Sequence, residues 1–424
     1  MLLVLLTAGA GTGAWFLLGL GRGQTLWSLP YSGGSPDRQN YLSTWFTDKA
    51  VVRAQTDGIS ALDPASGRRL WGTPVPGEGT VVCASSSVAS EGVAVLAFGE
   101  TGSCSTVFAL DLATGEVLWD MPVETLDEPP SLAVSGKAVV VNDKQAYLLA
   151  DGSEAWAAKE LPTDDGCTTG TFTGGAQLVR SYGCATKVDE FGAPSALRYT
   201  VSEIDPATGK ARWEYVAKRE DTSPDPLESH GEVLSTSPVV AREATGAYRI
   251  LSDGGKPRGL VGIEGGRKLG QDAAFLGGSP SPAVAAHEGT LVVEQRHKND
   301  EAVDGYDMDS GDKLWSTGPS SDVRYDLVQG AEEGLIATKE ANGTFDLGDT
   351  DPFSLVAFDP ETGDEDEMQD FDGVGDTLGV WNAAYLHEGG LFLASVSNKG
   401  SIGALEDIGA LGEDHDSSLV AFEL

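Results

Sequence analysis

The sequence predicts an all-β chain, an eight-bladed β-propeller of four-stranded antiparallel blades whose ring is closed by pairing of its N- and C-terminal strands. Three observations lead there. A unit of Asp, a turn ending in Gly, and a Trp four residues past that Gly recurs along the chain. One copy of the unit is split between the two chain ends. The composition, with 55 glycines and 20 prolines, suits short strands joined by turns, and nothing beyond the first 20 residues sustains helical periodicity.

The strong copies are ALDPASGRRLW (61–71), ALDLATGEVLW (109–119), LLADGSEAW (148–156), EIDPATGKARW (203–213) and GYDMDSGDKLW (305–315). In four of them Asp63, Asp111, Asp205 and Asp307 open the turn by bonding their own backbone, and Gly67, Gly115, Gly209 and Gly311 supply the positive φ that closes it. AFDPETGDEDE (357–367) keeps Asp359 and Gly363 but has Glu367 where Trp is due. GIEGGRKLG (262–270) aligns Gly266 with the turn glycine and has Gly270 at the Trp position. GQTLW (23–27) holds only the second half of the unit, and SLVAFEL (418–424) only the first. The aligned glycines at 23, 67, 115, 152, 209, 266, 311 and 363 define eight units. Their mean length of about 50 residues is that of one four-stranded blade. Strand 24–30 is expected to pair with strand 418–424 and so tie the ends together, leaving no open edge. A Pro followed by small apolar residues at 129–134, 237–241 and 281–285 reads as the start of the innermost strand.

These units resemble the pyrroloquinoline-quinone-like propeller repeat of quinoprotein dehydrogenases and of the BamB family of outer-membrane assembly lipoproteins, over about residues 23–424. The resemblance implies that the tryptophans of six units, Trp27, Trp71, Trp119, Trp156, Trp213 and Trp315, dock between neighbouring blades. It also implies what a dehydrogenase of this type would carry: a vicinal Cys-Cys disulfide, an Asp base, and carboxylate and Asn ligands for calcium. No two cysteines here are closer than 17 residues, and units of about 50 residues leave little room for long insertions. No enzymatic activity, catalytic residue, cofactor or metal site is therefore expected.

Residues 1–20 carry no charged side chain, and Arg22 is the first basic residue. About 20 apolar residues are what a helix needs to cross a bilayer. The basic flank of a cleavable signal is missing. Residues 1–22 are thus expected to form an N-terminal membrane anchor, a single transmembrane helix, before a propeller at 23–424. A cleaved signal and a soluble or misread start are the alternatives. The absent basic flank leaves orientation unset and is compatible with further sequence upstream.

Cys83 and Cys104 flank the strand VAVLAFGE, and Cys167 and Cys184 flank AQLVRSYG. Local pairing, Cys83 with Cys104 and Cys167 with Cys184, is the most economical of three connectivities, and disulfides imply an oxidising space outside the cytoplasm. Four buried thiols are the alternative.

The chain carries 65 Asp+Glu against 28 Lys+Arg, a net charge of −37, which repels nucleic acid and anionic lipid. The densest acidic cluster, Asp364 to Glu367 with Asp370, Asp372 and Asp376, lacks the register of a calcium loop and reads as a solvated turn. Binding is expected on longer inserts at 185–195, 217–232, 340–352 and 403–417. The function these features suggest is a membrane-tethered, extracytoplasmic scaffold that binds another protein or a cell-envelope ligand, acts as a monomer and takes no nucleic acid. A quinone-dependent dehydrogenase-like enzyme and the sensor part of a larger signalling protein are the alternatives.

Overall fold

The structure, a computed structural model, describes residues 23–30, 41–77, 79–100, 103–126, 129–161, 166–167, 170–190, 194–218, 220, 222, 232–244, 247–262, 284–297, 300–318, 320, 322–329, 334–341, 353–371, 383–394 and 417–424. Every named element is a strand. Among these residues no helix is long and apolar enough to cross a membrane, and the anchor expected at 1–22 lies outside them.

The strands form six four-stranded antiparallel sheets and one eight-stranded sheet. The larger sheet divides where two strands run parallel, Val328 opposite Ala384 and Gln329 opposite Tyr385. On each side of that seam the pairing is antiparallel in fours. The blades, in chain order, lie within 41–74, 80–126, 132–157, 171–216, 233–261, 284–316 and 323–371, with the eighth built from 383–394, 417–423 and 25–30. In this last blade Thr25–Pro30 pairs with Ser417–Glu423, for example Trp27 opposite Ala421. The two ends of the chain therefore share one sheet.

Eight buried clusters hold the blades side by side. Each joins one blade to the next, from the first pair around to the contact of blade 8 with blade 1, where Trp27, Phe392 and Leu419 meet Val51 and Leu62. The apolar faces of each blade's strands are thus covered by the neighbouring blades, which is why alternating sequences suffice to build the core.

The Asp-to-Gly turns connect third and fourth strands. Gly67, Gly115, Gly209, Gly311 and Gly363 each donate their amide to the carbonyl of the opening Asp at 2.8–2.9 Å. The Asp side chains accept from the amides that follow, as Asp359 does from Glu361 at 2.9 Å and Thr362 at 2.8 Å. These bonds favour the charged carboxylate. Hydrogen bonding to the Ser66 side chain holds Asp63 below the usual 3.8, Arg212 does so for Asp205, and backbone amides do so for Asp307 and Asp359. A depressed folded pKa stabilises above the ordinary value and ceases to as pH falls through the folded one. Acid also relieves the repulsion of a highly charged chain, so the informative quantity is a difference. The stability lost in Asp359→Asn should be full near neutral pH and shrink below about pH 4, measured by thermal unfolding across pH. A gap that stays constant down to about pH 2 would reject this role for the carboxylate.

Two local readings are corrected. Ser237 and Pro238 form the turn between the first two strands of blade 5, Val233–Thr236 and Val239–Ala244, rather than the start of its innermost strand. The acidic run also differs: Glu365–Phe371 is the fourth strand of blade 7, and its Asp366 and Glu367 are exposed. Alternation is weak in so acidic a segment, so the strand did not announce itself. Asp372 and Asp376 lie outside the described residues.

Candidate functional site

The seams between blades are built from the recurring motif. A Cβ added at Gly67, Gly115, Gly152, Gly209 or Gly363 would collide with the indole of Trp27, Trp71, Trp119, Trp156 or Trp315, each contributed by the preceding blade. Each of these glycines has a φ between 65° and 80°. The indole nitrogens of Trp27, Trp119, Trp156 and Trp315 donate to the carbonyls of Pro64, Leu149, Pro206 and Pro360 at 2.8–3.0 Å, in the same turns.

A bulge aims each ring. The register shifts by one residue just before the Trp in all six strands, leaving Leu26, Leu70, Leu118, Ala155, Arg212 and Leu314 unpaired. The extra residue turns the Trp toward the next blade and pushes its own side chain outward. Leu26, Leu70, Leu118 and Leu314 are accordingly 40–44% exposed.

The two weak copies are resolved differently from the sequence alignment. Trp213 packs on Gly255, φ 70°, which takes the place given to Gly266 in the alignment; Gly266 lies outside the described residues. The turn at 252–256 has Ser at its opening and Asp253 one place later, so the spacing of the other units could not find it. Gly259 stands at the Trp position of blade 5 and lets Gly311 approach its backbone directly, with the Gly259 amide bonded to the Met308 carbonyl at 2.8 Å. In blade 7 the seam is filled by Phe371, fully buried and stacked on Phe353 at 4.7 Å, beside Gly23 of blade 8.

The cysteines pair as Cys83–Cys104 and Cys167–Cys184, and no described cysteine is free. The second bridge braces a projection built by the longest strands among the described residues. Strands Leu178–Val188 and Pro194–Ile204 of blade 4 have 11 residues each. Their first-strand neighbour pairs only as far as Ser181 and their fourth-strand neighbour only as far as Thr200. Beyond those points a two-stranded ribbon continues to Val188 opposite Pro194. Cys167 ties its base through Cys184. Higher up, Glu220 accepts from Lys187 at 3.1 Å and Arg198 at 3.0 Å, and these cations hold its carboxyl below the usual range. Val188 near the tip is 59% exposed.

This ribbon is the 185–195 insert. Most of each of the inserts at 340–352, 403–417 and 217–232 falls outside the described residues. Sequence reading missed the brace itself, because Glu220 is distant in sequence from both cations. It also missed a buried ionic group between blades 4 and 5. Glu243, 1% exposed, accepts from Tyr215 at 2.8 Å and Arg249 at 2.8 Å, and burial raises the Tyr215 hydroxyl to about 12. Among the described residues no group of three or more His, Cys, Asp or Glu is placed to hold a metal ion.

Closing loops with sequence separations of 21 and 17 stabilises by about 3 kcal/mol each in the chain-entropy view. Cys104→Ser is therefore expected to lower stability by about 3 kcal/mol in denaturant titration while leaving a folded propeller. An unchanged midpoint would remove any structural role for that bridge.

The chain matches the family described as outer membrane protein assembly factor BamB over residues 20–158, 55–251 and 103–317. A search of curated proteins finds no match. Among solved structures it is similar to a europium-containing methanol dehydrogenase at 13% identity, over 95% of this chain and 93% of that one, with a TM-score of 0.51. It is also similar to Hsv2 of Kluyveromyces lactis, at 9% identity over 78% of this chain and 99% of that one, TM-score 0.42.

The first of these likenesses corrects the expectation that the chain is not an enzyme. That expectation rests in part on units of about 50 residues leaving little room for the long insertions of a dehydrogenase. A methanol dehydrogenase nonetheless has the same fold over 93% of its own length, so ring size excludes nothing. At such low identity the likeness extends to fold alone. With the repeat, the closed ring and the family match together, the chain belongs to the BamB-like family of pyrroloquinoline-quinone-like β-propellers.

Proposed function

We propose that the chain is a membrane-tethered propeller outside the cytoplasm that serves as a binding and assembly scaffold for another protein. The observation that carries this reading is the blade-4 ribbon. It projects beyond both flanking strands: pairing with the first strand stops at Ser181 and with the fourth at Thr200, and just past these points lie the Cys167 bridge and the Ala217 amide on the Tyr199 carbonyl. A pair of strands that outruns its neighbours offers an edge to which a partner strand can add main-chain bonds. The disulfide at the base and the Glu220 clamp pre-organise the ribbon, which lowers the entropy lost on binding.

Further support comes from the family, described as an assembly factor, from two disulfides that suit an oxidising space, and from the uncharged residues 1–20 that suit a tether. A photo-crosslinking residue at Val188 should capture one defined protein in intact membranes. The same residue at the exposed Asp120 of blade 2 should capture none. Absence of an adduct at Val188, or the same adducts from both positions, would overturn the reading.

A further inference from the structure

The repeat supplies its own reference for what a blade needs, and blade 4 departs from it twice in one place. Opposite five of the six docking tryptophans stands a residue with almost no side chain: Ala421, Ala61, Ala109, Ala146 and Gly305. Opposite Trp213 stands Glu203. The bulge residue before the Trp is Leu or Ala in the same five strands and Arg212 in blade 4. The two departures meet. Arg212 Nη1 donates to Glu203 at 2.7 Å, and Nε and Nη2 donate to Asp205 at 3.3 and 3.1 Å. Docking the indole requires none of this, since five seams form without it.

The trio lines a cleft of about 280 Å³ between blades 3 and 4, on the face that carries the Asp-to-Gly turns. Lys137, Ser135 and Gly136 of blade 3 form the facing wall. The Glu203 side chain is only 9% exposed and acts from behind, whereas that of Arg212 is 52% exposed. Glu203 and Asp205 therefore hold the guanidinium plane in position, leaving two of its five N–H groups for the cleft. Lys137 is exposed and makes no ion pair among the described residues.

Charge selects the ligand class. Lys137 and Arg212 balance Glu203 and Asp205, so the lining has no net charge, while the whole chain carries −37. A free anion gains nothing from such a lining and is repelled at long range, and a free cation would compete with a guanidinium already in place. A neutral molecule with many hydroxyls needs fixed planar donors and acceptors and no net field. We infer that this cleft is a binding site for a neutral saccharide, with Arg212 and Lys137 as hydroxyl ligands and Glu203 as a positioning residue. The inference is independent of the protein-scaffold reading, because the cleft lies on the opposite face from the blade-4 ribbon.

The test uses the intact protein with cellobiose, maltose and chitobiose as probes, read by saturation-transfer NMR, with succinate as the anionic comparator. The double variant Glu203→Ala with Arg212→Leu gives blade 4 the residues other seams carry, so its fold should persist, checked by its thermal midpoint. At least one saccharide should saturate with a dissociation constant below about 10 mM. Affinity should fall about tenfold or more in the double variant, and also in Lys137→Ala, which lies outside the seam and serves if the double variant unfolds. The inference is overturned if no saccharide saturates, if succinate binds more tightly than all three, or if the variants bind like the parent.

Discussion

Replacing Trp315 with Ala should lower stability by about 3–5 kcal/mol, the range for truncating a buried aromatic. Its ring is 8% exposed, stacks on Phe358 at 5.5 Å, covers Gly363 of the next blade and donates to the Pro360 carbonyl at 3.0 Å. Truncation opens a void across the seam between blades 6 and 7 and leaves that carbonyl only the Thr290 hydroxyl, at 2.8 Å. Trp119 makes the same contacts with Gly152 and Leu149 but is only half-buried, so Trp119→Ala should cost less. Asp366→Ala, on the exposed fourth strand of blade 7, should stay within about 0.5 kcal/mol. Denaturant midpoints for the three variants give the ranking directly. Equal losses for Trp315→Ala and Asp366→Ala would mean that the seams are held by something other than the rings.

The ring was legible because its units are punctuated by residues with few substitutes. An Asp that bonds its own turn, a Gly at positive φ and a Trp at fixed spacing mark five units outright, and the split unit at the two ends points to closure. Where geometry is met by other means, legibility fails. Gly255 closes a turn opened by Ser252 rather than by Asp, and Phe371 fills a seam from four residues past the Trp position, so periodic spacing missed both. The bulges were invisible for another reason: one unpaired residue breaks alternation for a single step, and Leu70 or Leu118 reads as core though it faces outward. Chemistry assembled from separate strands, such as Glu243 with Tyr215 and Arg249, or Glu220 with Lys187 and Arg198, has no linear signature. Glu203 with Arg212 is an intermediate case. Both sit inside the aligned units, at positions where the other copies hold Ala or Gly and Leu or Ala, so comparing copies within the chain could have found them.

Gly115→Ala should be nearly as damaging as losing a docking Trp, although it adds a single methyl group. Gly115 has φ 75°, and its Cβ would sit 2.4 Å from Cε3 and 2.7 Å from Cδ2 of Trp71. Gly92 provides the matched control, with φ 76° and nothing within 4 Å of its Cβ position. Gly92→Ala therefore meets backbone strain alone, about 1–2 kcal/mol. Gly115→Ala meets the same strain and must also displace an indole from its seat. The Trp71 strand cannot yield freely, since Thr73 beside it is bonded to the Gly115 carbonyl at 2.6 Å. Overpacking of this kind adds about 1–3 kcal/mol, bringing the total to about 4 kcal/mol. Measured side by side in denaturant, the two Ala variants separate conformational strain from docking at one φ value. If they lose the same stability, the close fit of glycine under tryptophan contributes nothing, and the recurring Gly serves only its turn.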